Sequence, residues 1–309
     1  MLMNFYFRAR RKICDLRRDA EGVSRWSNLM DSRNILRLLR PYFNPNIPPA
    51  INLEINSDCS YKCPFCPQSS NPRPVRHITM DAFRYVISEL KQLDYSNVLV
   101  FSVNNEPFLH PLFLDFCKIT SEELPNATTC LISNGSLITT EHLKAFSALD
   151  HPPRITINDY TPDHKINTRL RSWIANPPFS RLPINLIQRS WKETLSNRAG
   201  NQPKSRVSLK DCCGISCAWP FMGLFLNPDL KAFLCCSDYN YSIIVGDLNK
   251  QRLMEIWTGE PLKVIRDALL IPDRTRISLC AKCDAAKLNW PLNLKDLKNI
   301  SVSIGMPEI

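Results

Sequence analysis

The chain lacks any run of 18 or more apolar residues, so a membrane-spanning helix is not expected. Its N-terminal stretch, MLMNFYFRARRKICDLRRD, has neither the apolar core nor the small-residue cleavage site of a secretory signal, and the expected location is the cytoplasm. Internal repeats and low-complexity tracts are absent, which argues against a solenoid or a linker-like chain. Glycine is scarce, 8 residues in 309 against 24 prolines, so loop shape depends on proline. What remains is ordinary for a globular protein: 44% hydrophobic and 22% charged residues, enough for one large domain with a small one attached.

Cysteine is abundant, with 13 residues. An odd number in a reducing compartment argues against a disulfide framework and for thiolates that bind metal. They fall into one group near residue 60 and another from 212 to 283. Cys14, Cys117 and Cys130 stand alone and read as small buried apolar residues. Net charge is +10, and residues 1–40 hold ten Lys or Arg against four Asp or Glu. Such a basic arm suits a helical extension, an anionic surface or an acidic electron-donor protein.

From Ala50 onward strand-like and helical patterns alternate. Ile51, Leu53 and Ile55 alternate with polar residues as in a strand, and Thr79 caps a helix with Phe83, Val86, Ile87 and Leu90 on one face. Further strands are expected at 97–103, 130–134, 154–158 and 184–188, with helices at 111–119 and 141–146. Repeated strand–helix units imply a parallel sheet with helices outside, curled into a complete or partial barrel. Ligands then bind where strands end at their carboxyl edge. Cys59, Asn104–Pro107, Ser133–Gly135 and Asn158–Asp159 all follow strands there.

Cys59, Cys63 and Cys66 form a C-x3-C-x2-C loop. Three thiolates in one loop can hold an iron–sulfur cube and leave the fourth iron open for reaction. Alternatives are a redox pair at Cys63 and Cys66, or a zinc site shared with Cys280 and Cys283. This loop after the first strand, with Phe65 before its last Cys, resembles the radical S-adenosylmethionine superfamily. Asn104-Asn105-Glu106-Pro107 stands where that family has Gly-Gly-Glu-Pro. Ser133-Asn134-Gly135 is similar to its Thr-Asn-Gly, and Asn158 lies at the ribose-contacting end of the fourth strand. Asn at the two glycine positions tolerates positive φ better than most residues.

The resemblance implies a partial (β/α)6 TIM-like barrel of class α/β. It also implies a 4Fe–4S cluster on Cys59, Cys63 and Cys66, and S-adenosyl-L-methionine contacted by Phe65, Glu106, Asn134 and Asn158. Reductive cleavage of that cofactor would give a 5′-deoxyadenosyl radical that abstracts hydrogen from a substrate.

Downstream, GLFLNP and KAFLCC read as a hairpin turning at Asn227-Pro228-Asp229-Leu230, followed by a helix with Leu253, Ile256 and Trp257 inward. Cys217, Cys235, Cys280 and Cys283 are the candidate ligands of an auxiliary 4Fe–4S cluster, with a structural zinc as the alternative. The order of these segments resembles the SPASM and twitch modules of the same superfamily, in the short single-cluster form. Cys212, Cys213 and Cys236 are ambiguous; Cys236 could be a ligand in place of Cys235, or a hydrogen-atom donor. Asn197-Arg198-Ala199-Gly200-Asn201 recurs in such enzymes, which makes Arg198 a candidate to pair with a carboxylate.

The expected organisation is a basic helical extension (1–49), the barrel core (50–200), the auxiliary-cluster module (201–290) and a tail (291–309). The expected function is an oxidoreductase, of dehydrogenase or epimerase type, acting on a small sugar- or aminocyclitol-like molecule. Its auxiliary cluster accepts an electron, and a flavodoxin or ferredoxin serves as donor. A maturase acting on a ribosomal peptide, and a non-enzymatic metal-cluster protein that binds nucleic acid, are the alternatives.

Overall fold

The computed structural model describes residues 47–192, 196–202, 217, 219–270 and 274–284. The basic arm, the tail, Cys14, Cys212 and Cys213 lie outside them. Five parallel strands come first: β1 (Ala50–Leu53), β2 (Val98–Val100), β3 (Thr128–Ser133), β4 (Arg154–Asp159) and β5 (Ile184–Gln188). Each pairs with the next in parallel register. A short α1 (Pro67–Ser70) ends the cysteine loop. The crossovers are α2 (Met80–Gln92), α3 (Phe113–Glu123), α4 (Thr140–Ser147) and α5 (Lys165–Ile174).

The main core shows how the sheet is wound. Ile51, Leu53, Leu99, Leu131, Ile155 and Ile157 share one hydrophobic cluster with Phe83, Phe116, Leu143, Phe146 and Leu170 from the helices. All four crossovers therefore cover the same sheet face, as in a barrel, and leave the other face as its interior. At one end that interior is filled by Ala50, Val98, Val100 and Cys130. Cys117 and Cys130 are both buried. The Thr79 hydroxyl caps α2 by accepting from Ala82 N at 3.2 Å.

Among the described residues the sixth parallel strand does not lie beside β5, the next place in a (β/α)6 barrel. It is β6 (Leu224–Leu226), which belongs to the C-terminal cysteine region and pairs with β1. The described residues that follow β5, 189–192 and 196–202, are polar and form no strand. An antiparallel hairpin joins β6 to β7 (Lys231–Phe233), and β8 (Ile244–Asp247) completes one eight-stranded sheet in the order β5-β4-β3-β2-β1-β6-β7-β8. Asn227 makes the hairpin turn, its Oδ1 accepting from Asp229 N at 3.1 Å and Lys231 N at 2.9 Å.

Four further helices follow or flank these strands: α6 (Trp219–Met222), α7 (Leu253–Trp257), α8 (Glu260–Leu270) and α9 (Ser278–Ala281). Buried Glu89 of α2 ties α7 to the barrel, accepting from Leu253 N at 2.9 Å and pairing with Arg252 at 2.6 Å. No helix among the described residues is long and apolar enough to cross a membrane.

Candidate active site at the strand carboxyl ends

The Cys59–Cys66 loop leaves β1 and is held by bonds local to the barrel mouth. Asn56 Nδ2 donates to the Asp58 carboxylate at 2.7 Å and to Glu106 O at 3.0 Å. Glu106 N in turn donates to Asp58 O at 2.9 Å. Tyr61 N points at Cys59 Sγ at 3.5 Å, and Asn134 Nδ2 lies 3.9 Å from that sulfur and 3.0 Å from Ser60 Oγ. Burial pushes the thiols of Cys59 and Cys63 up to about 11 and about 12. Binding a metal there must therefore displace protons. The Glu106 carboxyl, where ionised, pushes Cys59 in the same direction.

Glu106 sits 1% exposed. Its two carboxylate oxygens accept from Ser133 Oγ at 2.8 Å, Asn134 N at 2.9 Å and Phe108 N at 3.4 Å. It thus braces the loops after β2 and β3 against each other, and its own carboxyl is pushed up to about 7 by burial. Asn104 and Asn105 are not in the left-handed region. They act through side chains instead: Asn105 bonds Asn56 Oδ1 at 2.8 Å, and Asn104 Nδ2 reaches Cys236 O at 3.0 Å. The position that does need glycine is Gly135, with φ +74° and Ile157 and Ile166 too near to admit a Cβ. Asn158 is half-buried on the β4 face opposite Ile155 and Ile157, the barrel interior. Its neighbour Asp159 is fully buried and caps the following turn through Thr161 and Asn167 N.

Phe65 packs on Tyr160 (5.1 Å between ring centroids), while Tyr61 lies 5.9 Å from Trp191 and Tyr160 6.5 Å from it. The loop's two aromatics are thereby continued by one residue after β4 and another after β5. Tyr160 and Trp191 carry no sequence signal of this, because only the fold brings them to Phe65.

In the C-terminal region Cys217, Cys235, Cys280 and Cys283 line one cavity, together with Ala199 and Arg274. Burial raises the thiols of Cys217, Cys235 and Cys280, the last to about 12. Among the described residues no three His, Cys, Asp or Glu side chains close around a single-ion position. The four thiols line a shared space. Cys236 is half-buried beside them but does not line the cavity. Its carbonyl accepts from Asn104 and, at 3.5 Å, from Arg198 Nη1.

Residues 197–201 act as a bracket. Asn197 Nδ2 donates to Lys282 O at 2.7 Å, and Asn197 N to the Asp284 carboxylate at 2.7 Å. Arg198 and Ala199 hold φ of 49° and 53°, a strained pair that seats Ala199 against Cys235, Cys280 and Cys283.

Residues that pattern reading missed join the two cysteine groups. Glu54, the residue directly after β1, is 0% exposed. It forms a two-pronged pair with Arg73 at 2.8 and 3.2 Å, and accepts from Asn104 N at 3.0 Å and from the Tyr241 hydroxyl. Arg73 lies over the rings of Tyr239 and Tyr241 at 4.3 and 4.7 Å. Gln68, just after the cysteine loop, bonds Ser57 O, Asn104 O and the Tyr239 hydroxyl. One signal was available for Glu54. In a parallel strand covered on both faces, the polar residues of an alternating pattern point into the barrel rather than to water.

Comparison with known proteins agrees with this geometry. Residues 53–177 match the model of the radical SAM superfamily, and residues 217–284 that of the SPASM iron–sulfur cluster-binding domain, together more than half of the chain. The S-adenosyl-L-methionine-dependent 2-deoxy-scyllo-inosamine dehydrogenase of Niallia circulans is 23% identical over 238 residues, covering 76% of this chain and 92% of that one. The crystal structure of BtrN in complex with AdoMet and 2-DOIA superposes with a TM-score of 0.66 at 21% identity, over 77% of this chain and 93% of its own. Native anSMEcpe with bound AdoMet gives a TM-score of 0.50 at 12% identity, over 70% and 82% of the two chains. The chain belongs to the radical SAM superfamily of enzymes and carries a C-terminal SPASM iron–sulfur domain.

Proposed function

We propose that this protein oxidises a hydroxyl-bearing carbon of a small polar, sugar- or aminocyclitol-like molecule. Cys59, Cys63 and Cys66 would hold one 4Fe–4S cluster, and Cys217, Cys235, Cys280 and Cys283 a second. When bound, the first cluster with S-adenosylmethionine supplies a hydrogen-abstracting 5′-deoxyadenosyl radical, and the second supplies an electron acceptor. The donor set fits these groups: three thiols in one loop at the barrel mouth, and four around a buried cavity.

The chain's own residues orient and enclose. Asn134 and Tyr61 N steady Cys59, and Glu106 locks the loops that form the mouth. Phe65 and Tyr160 give an apolar wall for a flat ring, and Asn158 offers a polar group inside the barrel. Arg198 and Cys236 stand between the two cysteine sites, Arg198 as the cation available to a polar substrate. An acidic flavodoxin- or ferredoxin-type protein is the proposed electron donor, drawn by a net charge of +10.

The observation that carries this reading is the hydrogen-bonded path from the mouth through Gln68 and Asn104 to the carbonyl of Cys236, the residue next to cavity-lining Cys235. The similarity to a dehydrogenase of 2-deoxy-scyllo-inosamine supports the substrate class. The test is anaerobic turnover with a reductant, S-adenosylmethionine and 2-deoxy-scyllo-inosamine deuterated at its carbinol carbons. Deuterium in 5′-deoxyadenosine together with a ketone product is expected. Deoxyadenosine free of deuterium, across a panel of aminocyclitols and sugars, would refute the substrate class.

A further inference from the structure

Arg274 opens the short turn Arg274–Arg276 before α9 and is 3% exposed. A guanidinium so deep normally has carboxylate or carbonyl acceptors for its five N–H groups. Here Nε and Nη1 find none among the described residues. The groups acting on it electrostatically are sulfurs, those of Cys217, Cys283 and Cys280. It shares one cavity wall with these three and with Cys235. A buried cation with open donors therefore faces four thiols.

A four-thiolate iron–sulfur cube is anionic and becomes more so on reduction. A fixed positive charge and N–H donors at its sulfurs favour the reduced form, while a buried carboxylate favours the oxidised one.

We propose that Arg274 donates hydrogen bonds to the sulfurs of the cluster held in the C-terminal cavity and raises that cluster's reduction potential. The inference rests on reading the cavity as a cluster site, and the experiment separates the two. Full-length protein with Cys59, Cys63 and Cys66 all changed to Ala is reconstituted anaerobically, so that the C-terminal cluster alone remains. It is then titrated redox-potentiometrically by electron paramagnetic resonance, with and without Arg274→Gln.

The expected result is that Arg274→Gln lowers the reduced-to-oxidised ratio at fixed poise at least tenfold, which for one electron is 59 mV. Full iron content with an unmoved potential overturns the role of Arg274 alone; no iron in the triple variant overturns the cluster reading itself. Should Arg274→Gln fail to assemble, the triple variant labelled with 15N-arginine supplies the second readout. Nitrogen coupling to the reduced cluster that survives Arg198→Lys supports the proposal. No coupling, or coupling lost in Arg198→Lys, overturns it.

Discussion

The Glu106 carboxyl is shut from water between Ser133, Asn134 and Phe108, which moves it from 4.5 up to about 7. Between those values the folded chain keeps a proton that the unfolded chain has lost. Its contribution therefore favours folding at low pH and fades as pH rises from about 4.5 through about 7. Relative to Glu106→Gln, the wild type is expected to lose up to about 3 kcal/mol of stability between pH 4.5 and pH 8. Thermal unfolding of both proteins across that range checks it, and a difference independent of pH would contradict it. Residue by residue, what could be read in advance was whatever local spacing encodes. The three loop cysteines stand within eight positions, and Glu106 and Asn134 each follow a recognisable strand. Arg73, Tyr239 and Tyr241 were invisible because their partners are remote in sequence. Arg73 and Tyr239 stand 166 positions apart, and Tyr241 and Glu54 stand 187 apart.

At the level of strands and helices, the expected strand at 184–188 coincides with β5, and the capped helix begins after Thr79 as its pattern requires. Apolar periodicity reports this well, since each of these helices lays one face on the same core. The two Asn residues after β2 were read for backbone tolerance and turned out to serve through their amides, because a composition cue does not say which bond a side chain will make. Two predictions belong here. Arg73→Met leaves Glu54 charged and fully buried between β1 and the β7–β8 region. It is expected to cost about 3–5 kcal/mol in denaturant unfolding. Pairing it with Glu54→Gln should recover much of that loss; no recovery would contradict a paired-charge origin. Gly135→Ala forces a Cβ to within 2.7 Å of Ile157 Cγ2 at φ +74°. The expected cost is about 1–3 kcal/mol, read from the same unfolding midpoints.

For the molecule as a whole, the alternation of strand and helix announced a partial barrel, but not that the C-terminal hairpin would extend the same sheet. Pairing between β1 and β6 joins segments some 170 positions apart, and no periodicity encodes a partner at that distance. Its consequence is mechanical. Removing residues 201–309 would turn β1 into an open edge and strip Glu54 of Tyr241 and Asn104 of the Cys236 carbonyl. The truncated chain is expected to aggregate, as size-exclusion chromatography would show; a monodisperse, folded 1–200 fragment would contradict the shared sheet. The most direct measurement compares anaerobically reconstituted wild type with the Cys59→Ala, Cys63→Ala, Cys66→Ala protein, reading iron content and 5′-deoxyadenosine formed from S-adenosylmethionine and reductant. The account predicts two cube-sized portions of iron and steady deoxyadenosine formation in the wild type, against one portion and no deoxyadenosine in the variant. Equal deoxyadenosine formation by both proteins, or zinc in place of iron in the wild type, would contradict it.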